Sequence, residues 1–308
     1  METNQDNRTL LILGNGFDVA FNFKTRYRDF YESPEFQQLL QQQNNIANAI
    51  KIETSQGKYQ TWGDFECGLW EYVKKFSSCI DLETFKRDFD SLREALFNYL
   101  NRACQEPQNT FASLQIQKLI LLWQQCNPFV LTFNYSTTTI VNLAPNQRKY
   151  LNPNDSINEN KFIYQHGSIY NTTLYQNNNP NTIVLGIDDS QEVPNDFAFL
   201  KKSSQNAHDQ EDALSKLAQA DTYIIYGCSM GDSDKVYFKT IFNPVYKGKK
   251  YIIYTHAESN VANVQNRVAE FVQDLEKFQQ YNDVHIIYCK NNPRIIELTQ
   301  EKLNKSTI

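Results

Sequence analysis

Apolar residues along the chain fall into two kinds of run. Short blocks rich in β-branched and aromatic side chains occur at Thr9 to Leu13, Phe129 to Phe133, Phe162 to Tyr164, Thr182 to Leu185, Thr222 to Tyr226, Lys250 to Tyr254 and Val284 to Tyr288. Each has the length of a strand. Most are apolar at every position rather than at alternate ones, which suits central strands of a parallel sheet covered by helices on both faces. The pattern predicts an α/β fold with a Rossmann-like, doubly wound and mostly parallel sheet of about six or seven strands.

The second kind of run has helical spacing. Between the first two strand blocks, Phe36, Leu39 and Leu40, then Phe65, Leu69, Val73 and Phe76, then Phe85, Phe89, Leu92, Leu96 and Leu100 recur at intervals of three and four, the period of an amphipathic helix. Ser33 followed by Pro34 is a helix start, and Thr61-Trp62-Gly63-Asp64 has capping-box character. A large helical insertion after strand one is predicted, over about residues 33–125. A last helix is expected from Ile295 to Leu303. Polar stretches at Pro145 to Asn160, Asn171 to Asn181 and Asp188 to Asp212 read as loops or lids, with a hairpin turn around Asn177 to Pro180. At 308 residues, residues 1–308 are read as a single domain carrying that insertion, although a prior of about 150 residues per domain would also allow two.

Charge and cysteine content narrow the function classes. Lys and Arg number 30 against 35 Asp and Glu, a net charge of -5, so the broad basic footprint of non-specific nucleic-acid binding is absent and nucleic acid is disfavoured as a partner. The six cysteines include no CxxC pair, which argues against a structural zinc site, and no metal is expected. With neither a secretory leader pattern nor a membrane-length apolar run, the expectation is a cytoplasmic protein with reduced thiols.

Four motifs end strand blocks. Leu13 runs into Gly14-Asn15-Gly16-Phe17-Asp18. Two glycines one residue apart allow backbone amides to approach a phosphate or simply make a tight strand-to-helix turn. The second block ends in Thr132-Phe133-Asn134-Tyr135-Ser136. Asn134 can hold a ribose hydroxyl or a water, since its amide both donates and accepts, or it can cap a turn. In Tyr164-Gln165-His166-Gly167, the imidazole is suited to general-base work or to a structural hydrogen bond. The fourth, Tyr226-Gly227-Cys228-Ser229-Met230-Gly231-Asp232-Ser233-Asp234, places Gly227 and Ser229 where a second phosphate or ribose could lie. Its acids suit a helix N-terminus, or a magnesium site together with Asp64 and Glu66 as in a nuclease. Cys228 has no histidine assignable to it as a nucleophile. All four motifs fall where a doubly wound sheet places its ligand crevice, so a nucleotide-type ligand is the working expectation.

Taken in order, Gly14-Asn-Gly-Phe-Asp18, Trp62-Gly-Asp-Phe-Glu66, Thr132-Phe-Asn-Tyr135, His166-Gly167 and the Gly227-x-Ser229 to Ser233-Asp234 segment resemble the AbiH family of bacterial abortive-infection proteins. More remotely they resemble the sirtuin-like NAD-binding fold. The resemblance implies a phage-defence effector that hydrolyses NAD to nicotinamide and ADP-ribose, with Asn134 and His166 catalytic and Gly14, Asn15, Gly16, Phe17, Asp18, Thr132, Gly227, Ser229 and Asp234 around the nucleotide. It also implies a held-off resting state, through a homo-oligomer, a defence-system partner or a loop over the crevice. The paired cysteines of the sirtuin zinc module are missing, which argues against deacetylation. A non-catalytic nucleotide sensor, in which the Asp188 to Asp212 loop moves, is the alternative that binding without turnover would reveal.

Overall fold

The computed structural model describes residues 8–57, 62–79, 81–104, 111–136, 162–169, 179–231, 234–290 and 292–304. Six strands form one all-parallel sheet: β1 Thr9–Leu13, β2 Phe129–Thr132, β3 Phe162–Tyr164, β4 Thr222–Tyr226, β5 Lys250–Thr255 and β6 Asp283–Tyr288. Their order is β3-β2-β1-β4-β5-β6, the doubly wound arrangement of dinucleotide-binding sheets. Alternate residues serve opposite faces. Leu10, Ile12, Leu131, Tyr223, Ile225, Tyr251 and Ile253 build one core layer, and Leu11, Leu13, Val130, Ile224, Tyr226, Ile252 and Tyr254 build the other. Burial on both faces explains why these strands carry no polar alternation.

Among the described residues, seven helices separate β1 from β2: α1 Asn15–Ala20, α2 Tyr27–Tyr31, α3 Pro34–Gln41, α4 Asn45–Ser55, α5 Trp62–Phe76, α6 Leu82–Ala103 and α7 Phe111–Gln125. Helices therefore begin well before residue 33, where the periodic pattern first became legible. Side-chain caps set several starts: Ser33 accepts from the Phe36 amide at 3.2 Å, Asn44 from Ala47 at 2.9 Å and Asp81 from Thr84 at 2.9 Å. Each satisfies an amide that the first turn leaves without a partner. The Trp62 to Asp64 side chains, where a capping box was expected, lie outside the described residues. The α6 stripe of Phe85, Phe89, Leu92, Leu96 and Leu100 packs with Phe36, Phe65 and Leu69 into a third core, which Ile183, Leu185, Phe197 and Leu200 complete.

The remaining helices are α8 Lys202–Gln219, α9 Lys235–Ile241, α10 Val261–Val272, α11 Leu275–Tyr281 and α12 Ile295–Asn304. Two expectations are corrected here. Thr182 to Leu185 is not a strand: a 3-10 turn over Pro180–Thr182 is followed by a single antiparallel bridge from Ile183 to Gly167. Ile183 and Leu185 face the insertion core rather than a neighbouring strand, so their apolar character serves packing. Asp188 to Asp212 is not one loop either, because it contains a 3-10 helix at Asn195–Leu200 and the first half of α8. Most of the expected Asn-rich hairpin, and the whole Pro145 to Asn160 stretch, fall outside the described residues.

Candidate functional site

Leu13 pairs with Thr132 and Tyr226, and Thr132 with Tyr164, so the segments leaving β1, β2, β3 and β4 emerge level with one another. The sheet reverses its winding between β1 and β4, the point at which open α/β sheets leave a crevice. A cavity of about 700 Å³ lies there, a volume typical of small-molecule sites. Gly14, Asn15, Gly16, Asp18, Asn134, His166, Gly227, Ser229 and Asp234 all line it.

Two residues expected among them do not. Phe17 is 1% exposed and turns into the core against Phe21, Trp123 and Tyr226, because the helical turn that aims Asp18 at the cavity points its neighbour away. Thr132 is buried below the wall, where its hydroxyl accepts from the Asn134 amide at 3.1 Å. It shapes the chain at the end of β2.

The glycines at this crevice let two turns touch. Gly227 has φ 69°, and a Cβ on it would lie 2.4 Å from the Phe17 nitrogen, while one on Gly14 would lie 2.6 Å from the Gly227 oxygen. Both distances are below van der Waals contact. The Gly14 and Gly16 amides donate to the carbonyls of Tyr226 and Gly227 at 2.9 Å each, and the Phe17 amide donates to the Gly14 carbonyl at 2.8 Å. In this structure those three amides tie the β1 turn to the β4 turn and to itself, not to an anion. Asn15, from the same turn, accepts from the Thr25 hydroxyl at 2.7 Å.

One wall of the cavity is a neutral hydrogen-bond network around one carboxyl group. Asn134 donates through Nδ2 to the Gly14 carbonyl at 3.0 Å and to Asp18 Oδ1 at 3.1 Å, and the Ser136 hydroxyl donates to Asp18 Oδ2. With both amide protons taken, the orientation of Asn134 is fixed. Its Oδ1 is buried and has no hydrogen-bond partner among the described residues. Asp18 is pushed up to about 7 by burial, which outweighs the hydrogen bonds from Ser136 and Asn134 that favour the carboxylate.

The other wall is ionic. His166 Nε2 lies 3.2 Å from Asp234 Oδ1 and 3.2 Å from Lys202 Nζ. Lys202 in turn lies 2.8 Å from Glu66 Oε1 and 4.0 Å from Asp234 Oδ1. Burial opposes the ammonium charge, yet Glu66 and Asp234, helped by Asp188, outweigh it and hold Lys202 above the ordinary lysine range. The rings of Phe133 and Tyr135 flank the imidazole, with centroids 5.6 and 6.1 Å away. Cys228 is an inert thiol here, since burial and Asp234 hold it well above its ordinary value.

Lys202 was missed in the sequence, and Glu66 and Ser136 were given no part in nucleotide binding. Lys202 opens α8, and a cation in a first helical turn opposes the macrodipole. That misplaced charge was the available signal. Asp234 precedes α9 without capping it through its side chain, because its carboxylate reaches His166 instead. Of the acids considered for magnesium, Asp232 and the side chain of Asp64 lie outside the described residues. Between Glu66 and Asp234 sits the Lys202 ammonium.

Fold and site define an open, all-parallel α/β architecture with a cavity at its switch point, lined in part by Glu66 and Leu100 of the helical insertion. The family model described as "Bacteriophage abortive infection AbiH" matches residues 10–256. The chain therefore belongs to the AbiH family, whose function is phage abortive infection. No curated protein matches it. Among solved structures, "Structure of Sir2Tm bound to a propionylated peptide" is similar at 12% identity and a TM-score of 0.35, over 96% of this chain and 91% of that one. Among the described residues, no helix is long and apolar enough to cross a membrane.

Proposed function

We propose that the cavity binds NAD and hydrolyses the bond between nicotinamide and ribose, and that this is the effector step of the abortive response. The observation that carries the reading is Asn134. Its amide protons are both held inside the protein, and its unpartnered carbonyl belongs to the cavity wall, where it can accept from a ribose hydroxyl or from water. His166 stands close by, steadied by Asp234.

In the reaction a water oxygen bonds to the ribose anomeric carbon as the carbon–nitrogen bond breaks. The bonding pair leaves with the nicotinamide ring, which becomes neutral, through an oxocarbenium-like state as in glycoside hydrolysis. When Asp234 accepts the Nε2 proton of His166, Nδ1 is left as the base that takes the proton from water. Since the Gly14, Gly16 and Phe17 amides are already bonded within the protein, the pyrophosphate falls to Arg26 and Arg267, the two arginines among the cavity-lining residues. A guanidinium fork suits phosphate oxygens.

The test is nicotinamide release from NAD by the purified protein, beside Asn134→Ala and His166→Ala, and NAD content in cells challenged with phage. Wild type should release nicotinamide, and each variant should lose about 100-fold or more of the rate, the scale of a removed general base. NAD that survives both in vitro and during infection would overturn the reading.

A further inference from the structure

We infer that Glu66, supplied by the helical insertion, accepts a hydrogen bond from a hydroxyl of the ribose that carries the nicotinamide, and so sets which end of the nucleotide enters the cavity. This rests on the NAD reading and deepens it.

Glu66 lines the cavity and is 7% exposed. Its Oε1 takes the Lys202 ammonium at 2.8 Å, while its Oε2 is buried with no hydrogen-bond partner among the described residues. A buried carboxylate oxygen is costly to leave bare, so a ligand that displaces water from it must bring a donor. Asn134, across the same cavity, carries a second bare acceptor in Oδ1. Two bare acceptors call for a group that brings O–H or N–H donors to them. A ribose with its two hydroxyls meets that demand.

A phosphate offers only acceptor oxygens and negative charge, which Glu66 repels. It belongs at the arginines instead. Lys202 bridges Glu66 to His166, which puts the hydroxyl-binding carboxylate beside the group assigned to take the proton. In glycoside cleavage, hydrogen bonds to the sugar hydroxyl next to the reacting carbon strengthen in the transition state. Glu66 is placed to supply one. The insertion thus contributes to recognition and is more than a cover.

The test uses equilibrium binding, because fluorine on the ribose also slows the chemistry. The probes are carba-NAD, in which a methylene replaces the ring oxygen of the nicotinamide ribose, and its 2′-fluoro and 3′-fluoro derivatives, where fluorine accepts but cannot donate. In wild type, one of the two fluorines should weaken binding about tenfold or more, the worth of one hydrogen bond to a charged group. In Glu66→Gln, whose amide can donate to fluorine, that preference should shrink to within about threefold. Wild-type affinity unchanged by either fluorine overturns the inference without recourse to a variant, and so does an undiminished preference in Glu66→Gln. Both results leave NAD binding standing. Failure of carba-NAD itself to bind removes the NAD reading and this inference together.

Discussion

On the cavity wall built from the ends of β1 and β2, Asp18 is buried with only neutral partners, the Asn134 amide and the Ser136 hydroxyl. On the wall shared by α5, α8 and the β3 and β4 ends, Glu66 is buried and Asp234 partly so, with the Lys202 ammonium between them. Desolvation opposes charge on both walls. Without a cation it drives Asp18 up to about 7, whereas the paired wall keeps its lysine charged. Burial alone does not decide whether a group is ionised; the charge of its neighbour does. The two walls thus use burial differently: one raises a carboxyl group to about 7, and the other holds an ammonium among carboxylates.

The largest effect should come from breaking the ionic wall. Lys202→Met leaves the buried Glu66 and the partly buried Asp234 without their cation, and removing one partner of a buried pair costs about 3–5 kcal/mol. Urea denaturation at pH 7 should show that loss. Adding Glu66→Gln to Lys202→Met should recover part of it, because one of the stranded charges is then gone. Additive losses in the double variant would mean that the two side chains are not coupled.

The neutral wall makes the opposite prediction, one of sign. Asp18 titrates at about 7 in the folded chain and near 3.9 when unfolded. Between those values the folded state binds more protons, so this residue lowers stability as pH rises from about 4 to about 7, after which its effect is constant. The span corresponds to roughly 4 kcal/mol, at about 1.4 kcal/mol per unit. Asp18→Asn should remove that slope while keeping an acceptor for the Asn134 amide. Melts of the two proteins from pH 4.5 to 8 should therefore diverge, the variant gaining relative to wild type as pH rises. Parallel profiles would show that Asp18 ionises freely.

How legible each part was follows from the range of the interactions that make it. Strands such as Thr222–Tyr226, apolar throughout because both faces are covered, announced themselves, and Ser33-Pro34 marked a helix start that a local hydrogen bond fixes. The Thr182 to Leu185 run looked the same as a strand, and only its contacts with the insertion core distinguish it. The first half of α8, from Lys202 to Asp212, is almost wholly polar and carried too little periodicity to read. At the site, residues carried by strand ends could be found because the sheet itself aligns them. The Lys202–Glu66 pair joins an insertion helix to one far along the chain, and no local pattern encodes that meeting. Nor could the sequence show that the Gly14 and Gly16 amides are taken up by the neighbouring turn.

The smallest effect tests the neutral wall from its other partner. Ser136 donates to Asp18, and that hydrogen bond favours the carboxylate against burial. Ser136→Ala should therefore push Asp18 further up, extending the pH range over which stability falls. Hydrogen bonds to charged groups are worth more than those to neutral ones, so the variant should lose about 1–2 kcal/mol at pH 8, where Asp18 is ionised, and less at pH 5, where it is not. Placed in an Asp18→Asn background, the same substitution should cost the same at both pH values, since no titrating partner remains. A cost independent of pH in the wild-type background would assign the Ser136 hydroxyl to packing and leave Asn134 as the principal donor to Asp18.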